Sequence, residues 1–590
     1  MATQVSTQDD PRNNGSQADT EAVHPALDTP VDQSNGRASE RLDKVVFGVT
    51  AAIAIGFLLW GFIDTPGLGS ASDSALGWSV HNMGWLFVVL ASAFVAFVIW
   101  LGAGRFGNIP LGTDDEEPEF RTVSWVAMMF SAGMGIGLMF YGVTEPLSHY
   151  LTPPPGTGEA GNPQAVQTAM ATTLFHWALH PWAIYAVVGI AIAYGVFRKG
   201  RSQLISSAFA PLIGEKRAQG GVGKVIDILA IFATLFGSAA SLGLGALQIG
   251  KGLEIVSGLG KVGNGVLVGV IVVLTICFIF SAVSGVARGI KWLSNINMVL
   301  ALALALFVFV AGPTVFILDL VPTAVGSYFQ DLAMMSARTD AAGGNGMAEW
   351  LSGWTVFYWA WWMSWTPFVG MFIARISRGR TIRQFVAGVL LVPSLVSLVW
   401  FAVFGGAAIK LQQDGADLGG AASVEGQLFG MLGELPIATI TSILVIVLVA
   451  IFFVSGADAA SIVMGSLSER GTLEPSRSTV IFWGVATGGV AAVMLLVGGD
   501  SALTGLQTIT IVAALPFAIV MIGLSVALVK DLRNDPMMVR KRYAREAVEQ
   551  AVVTGVTRHG DDFAITVEQT DESVLSGGDE HPSKSADIVR

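Results

Sequence analysis

From Val45 to Ile63 the chain reads VVFGVTAAIAIGFLLWGFI, without one charged side chain. An apolar run of about 18 or more residues crosses a hydrocarbon core of about 30 Å as a helix. Runs of this kind recur along the chain and predict an all-α polytopic membrane protein. Twelve spans are expected, at roughly 45–64, 80–102, 122–149, 173–197, 224–250, 264–284, 295–318, 351–374, 384–409, 437–460, 477–498 and 506–530. Composition agrees: 53% of the 590 residues are hydrophobic and 13% charged, where a soluble domain is about a quarter charged. The net charge of −11 argues against a nucleic-acid partner. The one cysteine, Cys277, cannot form an intrachain disulfide.

Loop charge predicts orientation. Basic residues gather before span one (Arg37, Arg41, Lys44) and after spans four, six, eight and twelve. The other loops are acidic, mixed or nearly uncharged, with Glu145 and Glu159 assigned to the loop after span three. Basic loops mark the cytoplasmic face. An even span count then places both termini in the cytoplasm, in the plasma membrane of the cell. Residues 1–40 are polar, with almost no aromatics, and are expected to be disordered. They also lack the basic start and apolar core of a signal peptide. Residues 531–590 form a cytoplasmic tail that is basic from Arg533 to Arg545 and acidic afterwards; its basic part is positioned to meet anionic lipid and to serve in regulation. Residues 325–340 are too polar to cross and are expected to form an amphipathic helix at the outer interface, with Tyr328, Leu332 and Met335 on one face.

Two spans carry helix breakers. Span three contains SAGMGIGLMFYG, with glycines at 133, 135 and 137, and span eight contains SWTPFVG, with Pro367 at mid-span. Interior glycine costs a helix about 1 kcal/mol and proline about 3 kcal/mol. At membrane depth, broken backbone is tolerated only where protein or a water-filled cavity satisfies it. Two breaks five spans apart predict two inverted five-helix repeats, 122–318 and 351–530, with a central site and two added N-terminal helices.

Span eight also contains FYWAWWMSWTPF. On a helix, Tyr358, Trp361, Trp365 and Phe368 form one stripe, Trp362 lies at its edge and Trp359 lies away from it. Span four adds Trp177, Trp182 and Tyr185. An aromatic belt at the lipid headgroups accounts for the start of span eight, and simple helix packing is a second plain reading. The sharper reading is a cage for a quaternary ammonium, which donates no hydrogen bonds and meets ring faces instead. No Asp or Glu stands within the two clusters. That suits a zwitterion whose carboxylate meets backbone N–H groups at the glycine break.

The stretches MMFSAGMGIGLMFYGVTEP (128–146), FHWALHPWAIY (175–185), LISSAFAPLIGEK (204–216) and FYWAWWMSWTPFVGMFIARISRGRTIR (357–383) resemble the betaine/choline/carnitine transporter family. Within it they are most similar to actinobacterial sodium-coupled glycine betaine importers. The resemblance runs from about 45 to 535 and implies a LeuT-like inverted-repeat fold and a homotrimer. No nucleophile elbow, phosphate loop or paired catalytic carboxylate stands at membrane depth, so no enzyme activity is expected. It implies a substrate box of Trp177, Trp182, Tyr185 and Trp362, with Trp361 and Trp365 along the inward path. The backbone from Ala132 through Met134 and Gly135 to Gly137 would lie against the ligand. Gly137 stands where choline-transporting relatives carry an Asp, which favours a zwitterion. Replacing Trp362 by Leu is expected to weaken betaine binding and leave folding nearly intact.

The resemblance also implies sodium as the coupling ion, with no other cofactor. One site would use the carbonyls of Ser131, Met134 and Phe452 with side chains at Ser455 and Gly456. Gly456 has no side chain, so one oxygen is missing there. A second site would use Thr234, Ser238 and the Phe368 ring. Against these readings, an isolated membrane Ser or Thr commonly bonds its own helix. Proton-coupled uptake or exchange of betaine, carnitine or ectoine remains an alternative, with Asp227 and Asp458 as intramembrane acids that serve equally well as caps or loop contacts. A channel or solute sensor is the alternative outside the transporter class. His176 and His180 have the spacing of a helical metal pair, yet no Glu stands between them and no third ligand is evident.

Overall fold

A computed structural model describes residues 42–566, apart from 134, 259, 285–286, 344–345 and 421–422. Of residues 130–133, 282–284, 287–295, 342–343 and 500 only the backbone is described. The expected disordered tail, and residues 567–590, lie outside the described residues.

The described residues form helices joined by loops, with no strand among them. The main helices are α1 (Lys44–Ile63), α2 (Thr65–Ala103), α3 (Thr122–Gly133), α4 (Ile136–Leu151), α5 (Pro163–Trp177) and α6 (Leu179–Ala193). There follow α7 (Gly221–Ser257), α8 (Asn264–Ser284), α9 (Ala287–Ala311), α10 (Thr314–Ser336) and α11 (Met347–Gly353). The second half holds α12 (Thr355–Arg375), α13 (Ile382–Gln413), α14 (Ala438–Ser468), α15 (Arg477–Val497) and α16 (Ala502–Arg533). Among the described residues, nine helices are long and apolar enough to cross a membrane, or ten if the bent α9–α10 pair counts as one span. The twelve expected runs are all helical, but not all pass as single spans. The third is cut between Gly133 and Ile136, and α12 carries a heavy load of Trp and Tyr.

Three sequence expectations change. The first concerns span eight, which is not broken at Pro367: α12 continues from Thr355 to Arg375 with the proline inside it. Proline has no N–H to give the carbonyl four residues back, that of Met363. The Thr366 hydroxyl donates to the Met363 carbonyl at 2.6 Å instead, so the helix absorbs the loss. The chain turns earlier, at Trp354, whose φ and ψ are −124° and −87°. Second, the amphipathic helix begins at Thr314 and ends at Ser336, bent 109° from the helix before it. Gly312 and Pro313 interrupt the run, so span seven ends at Ala311. Third, Glu145 is not a loop residue. It sits inside α4 and is fully buried.

A second break lies in span four. Ala178, with φ −99° and ψ −110°, separates α5 from α6, and Pro181 follows in the first turn of α6. Both breaks face α12. The helices α6 and α12 approach closely where a Cβ on Gly370 would stand 2.7 Å from Val188. Small residues let membrane helices approach in this way. At the end of the molecule that carries the basic loops, the segment after α2 pairs with the segment after α12. Leu111 N donates to the Arg380 carbonyl (2.8 Å), Gly379 N to the Leu111 carbonyl (2.9 Å) and Ile382 N to the Ile109 carbonyl (3.0 Å). This short antiparallel clamp fixes the end of α12.

The C-terminal residues from Leu532 form a separate unit. Its helix α17 (Pro536–His559) is capped by Asp535, whose carboxylate accepts from Met537 N at 2.9 Å, and none of its residues is buried. The basic segment therefore lies on a helix with no core face.

Candidate functional site

The aromatic stretch of α12 is buried in protein. Phe357, Tyr358, Trp359, Trp361 and Trp362 are each no more than 4% exposed. An aromatic belt at the lipid surface therefore does not describe them. Trp350 and Trp354 are half-buried, and Trp354 packs on His149 at 4.6 Å between ring centres.

Trp177, Trp182, Tyr185, Trp361, Trp362 and Trp365 border one cavity of about 40 Å³. Their rings meet mostly edge to face: Trp177 and Trp362 at 4.9 Å and 74°, Trp182 and Tyr185 at 5.4 Å and 80°, Tyr185 and Trp362 at 6.3 Å and 78°. Trp361 instead stacks nearly parallel on Trp362, 4.5 Å and 15° apart. It thus shares the cavity with the box residues and is not confined to a path beyond them. Trp365 stands at the junction with the next chamber. Trp359 faces away, stacked on His180 at 5.1 Å.

The helix breaks explain how these rings are held. The break at Ala178 frees backbone carbonyls before it, that of Trp177 because Pro181, four residues on, has no N–H to return. Trp362 Nε1 donates to the carbonyl of His176 (3.0 Å), and the Ser397 hydroxyl donates to that of Trp177 (2.9 Å). Trp361 Nε1 donates to Ser241 Oγ (3.1 Å), and Trp365 Nε1 to the carbonyl of Gly237 (2.9 Å). The indole N–H groups of Trp361, Trp362 and Trp365 are thus paired away from the cavity, which the three rings border.

The break between α3 and α4 supplies the remaining wall. Gly135 is extended (φ −173°, ψ −176°) and caps α4; it borders the aromatic cavity together with Gly137 and Leu138. A Cβ on Gly137 would lie 2.8 Å from Trp177 and 2.9 Å from Trp361, so both rings reach the backbone only because residue 137 has no side chain. Of the other residues expected here, Ser131 and Ala132 are described as backbone of α3 only, and Met134 lies outside the described residues.

Beneath the rings lies a chamber of about 210 Å³, bordered by Gly135, Ser238, Phe368, Phe452, Ser455 and Gly456 among others. Five residues expected at two sodium sites thus share one chamber. The Ser455 hydroxyl donates to its own helix, to Ile451 O (2.9 Å) and Phe452 O (3.2 Å). Thr234 does not border the chamber; it is buried and donates to Ala230 O at 2.8 Å. At Gly456 there is open space where a side chain would be. A further chamber of about 170 Å³ shares Phe368, Phe372 and Ala459 with the last, and reaches Gln203, Arg375 and Thr472 at the basic-loop end.

Sequence reading missed the group behind Trp177. Glu145 Oε1 accepts from His176 Nδ1 (2.6 Å), while Oε2 accepts from Trp177 Nε1 (2.6 Å) and the Tyr358 hydroxyl (2.5 Å). His149 lies 3.5 Å from Oε1, and Thr355 Oγ1 pairs with His176 Nε2 at 2.9 Å. Glu145, His149 and His176 present donor atoms within 4.8 Å of one another. The partner of His176 is therefore Glu145, not His180, which lies beside Ser92. A carboxylate does stand close to the box, although none borders its cavity. The only sequence cue was the triplet Thr-Glu-Pro, about two helical turns past Gly137. Asp227 makes a loop contact: it accepts from Ser206 N (2.9 Å) and Ser206 Oγ (2.7 Å).

A family model for the betaine/carnitine/choline family of transporters matches residues 45–537. A betaine/ectoine transporter of Corynebacterium glutamicum is 46% identical over 556 residues, covering 94% of this chain and 88% of its own. A glycine betaine transporter of Bacillus subtilis is 46% identical over 496 residues, 84% of this chain and 96% of its own. A glycine betaine transporter of Vibrio parahaemolyticus is 40% identical over 502 residues, 83% and 94% respectively. Matches of this extent, on an all-helical chain with nine or ten candidate spans, leave no role for an enzyme reading. The chain is a multi-pass membrane protein of the betaine/carnitine/choline transporter family.

Proposed function

We propose that this transporter is a secondary importer of glycine betaine or a closely related methylated zwitterion, driven by sodium. The observation that carries the reading is the cavity of converging indole and phenol rings, whose lining holds no acidic side chain. A trimethylammonium group finds ring faces there, each worth up to about 2 kcal/mol when desolvated. The ligand's carboxylate is served by the open amides at the start of α4, the positive end of that helix. The relatives named as betaine/ectoine and glycine betaine transporters support the substrate class.

The three chambers run from the rings to the basic-loop end, which the positive-inside rule assigns to the cytoplasm. The proposal takes this as an inward-open state in the plasma membrane, with both termini inside. Sodium is supported by Ser238, Phe452, Ser455 and Phe368 around the middle chamber, which Gly135 also borders at the break before α4, the kind of backbone that supplies hard oxygen ligands. A trimer remains part of the proposal on family grounds alone.

The test is uptake of labelled betaine into proteoliposomes. Accumulation above the outside concentration under an imposed sodium gradient supports the reading. Accumulation driven only by a proton gradient moves the coupling to protons. Flux that never concentrates the solute removes secondary transport in favour of a channel.

A further inference from the structure

We propose that Glu145 is a specificity-determining positioning residue: its buried carboxylate makes the aromatic cavity prefer a quaternary nitrogen over a neutral group of the same shape. The proposal rests on the substrate reading above.

Glu145 does not border the cavity, so it is not a ligand to the substrate. It acts through the rings. Trp177 offers only an N–H donor, and Tyr358 and His176 direct their donors to the same carboxylate, so Glu145 serves as acceptor throughout. The Trp177 ring borders the cavity, and its N–H end is fixed by Glu145 Oε2. His176, held by Oε1, presents the carbonyl that fixes Trp362. Two faces of the box are therefore set by one carboxylate, located where three helices meet.

The carboxylate also has an electrostatic consequence. An indole N–H that donates to an anion gains electron density on its ring, and that raises the attraction of its face for a cation. In a site shielded from water this field is weakly screened. An anion placed behind the ring adds to cation affinity and contributes nothing to a neutral ligand. The side chains around it are His149, His176, Tyr141 and Tyr358, with Arg338 further out over the Trp350 ring; the charge stands uncancelled where both imidazoles are neutral. A purely structural role would change affinity for both ligands alike.

The experiment compares glycine betaine with 3,3-dimethylbutanoate, which replaces the nitrogen by carbon and keeps the shape and the carboxylate. Binding of each to the purified protein is measured by calorimetry, for wild type, Glu145→Gln, Glu145→Asp and Tyr358→Phe. Wild type is expected to prefer betaine strongly. Glu145→Gln should lower that preference about tenfold, and Glu145→Asp should keep it within about twofold. Tyr358→Phe removes one donor from the carboxylate and leaves its charge less offset, so the preference should rise. This arm decides the matter even where Glu145→Gln does not fold. An unchanged preference in Glu145→Gln, or an unchanged or lower one in Tyr358→Phe, overturns the role of Glu145. A wild type with no preference overturns the cation reading of the cavity instead.

Discussion

The indole nitrogen of Trp362 lies 3.0 Å from the backbone carbonyl of His176 and donates to it. A ring on α12 is thereby tied to the end of α5 at the point where span four breaks. Replacing Trp362 by Leu removes a cage face and also leaves that carbonyl without its partner. Betaine affinity should fall by an amount equivalent to about 2 kcal/mol. Folding should suffer too: truncating a buried tryptophan to alanine costs roughly 3–5 kcal/mol, and leucine refills only part of the space. This hydrogen bond argues against the expectation of nearly intact folding. Trp362→Phe separates the two effects: it keeps a ring face and loses the N–H. Calorimetric binding and thermal unfolding in detergent check both variants.

Gly137 is held against two indoles, with 2.8 Å and 2.9 Å left to a Cβ. Even Gly137→Ala must push Trp177 or Trp361 aside. Overpacking of this kind costs about 1–3 kcal/mol. Betaine KM should rise about tenfold, with a shift in tryptophan emission as the rings move. An unchanged KM would mean the box tolerates the displacement.

Gly456 faces open space, with nothing within 4 Å of a built Cβ, and borders the same chamber as Ser455 and Phe452. Gly456→Ser adds a hydroxyl there without a clash. If sodium drives uptake from this chamber, the sodium concentration for half-maximal uptake should fall severalfold. Uptake measured against sodium at fixed betaine checks it. No change, or inhibition, would place the ion elsewhere.

Legibility in the sequence followed the range of the interaction. The stripe Tyr358, Trp361, Trp365 was readable because the helical period is local, and the glycines of span three announced a break that the structure shows at Met134's neighbours Gly133 and Gly135. Pro367 misled, because its cost is repaid one residue away by Thr366. The break at Ala178 had a cue in Pro181 that the aromatic pattern overshadowed. Glu145 left almost no local trace. Its partners His176 and Tyr358 lie 31 and 213 residues along the chain, so nothing short of the fold brings them together.

Asp43 caps α1, accepting from Val45 N (3.0 Å) and Val46 N (3.1 Å), and pairs with Lys224 (3.0 Å). Burial works to raise its pKa, but those amides and the ammonium outweigh it and hold it below the usual value. A depressed folded pKa gives stability that is present above the unfolded value of about 4 and lost as pH falls through the folded one. Asn caps a helix as well as Asp, so Asp43→Asn removes the charge alone and should lower the Tm at pH 7 by an amount matching up to about 1 kcal/mol for the lost pairing with Lys224. The gap to wild type should close as pH drops below about 4. A gap that stays constant down to pH 3 would show that the charge of Asp43 plays no part.

The pair Thr366 and Pro367 offers a test of how α12 stays whole. The Thr366 hydroxyl occupies the Met363 carbonyl that Pro367 cannot serve. Thr366→Val keeps the shape and removes the donor, leaving a buried carbonyl unpaired at a cost of about 1–3 kcal/mol. Pro367→Ala restores a backbone N–H to that carbonyl. In the double variant the valine should therefore cost much less than it does alone, a coupling readable from a thermal-unfolding cycle. Strictly additive losses would show that the hydroxyl does not stand in for the missing amide, and that α12 is kept straight by its packing on α6 and α7 instead.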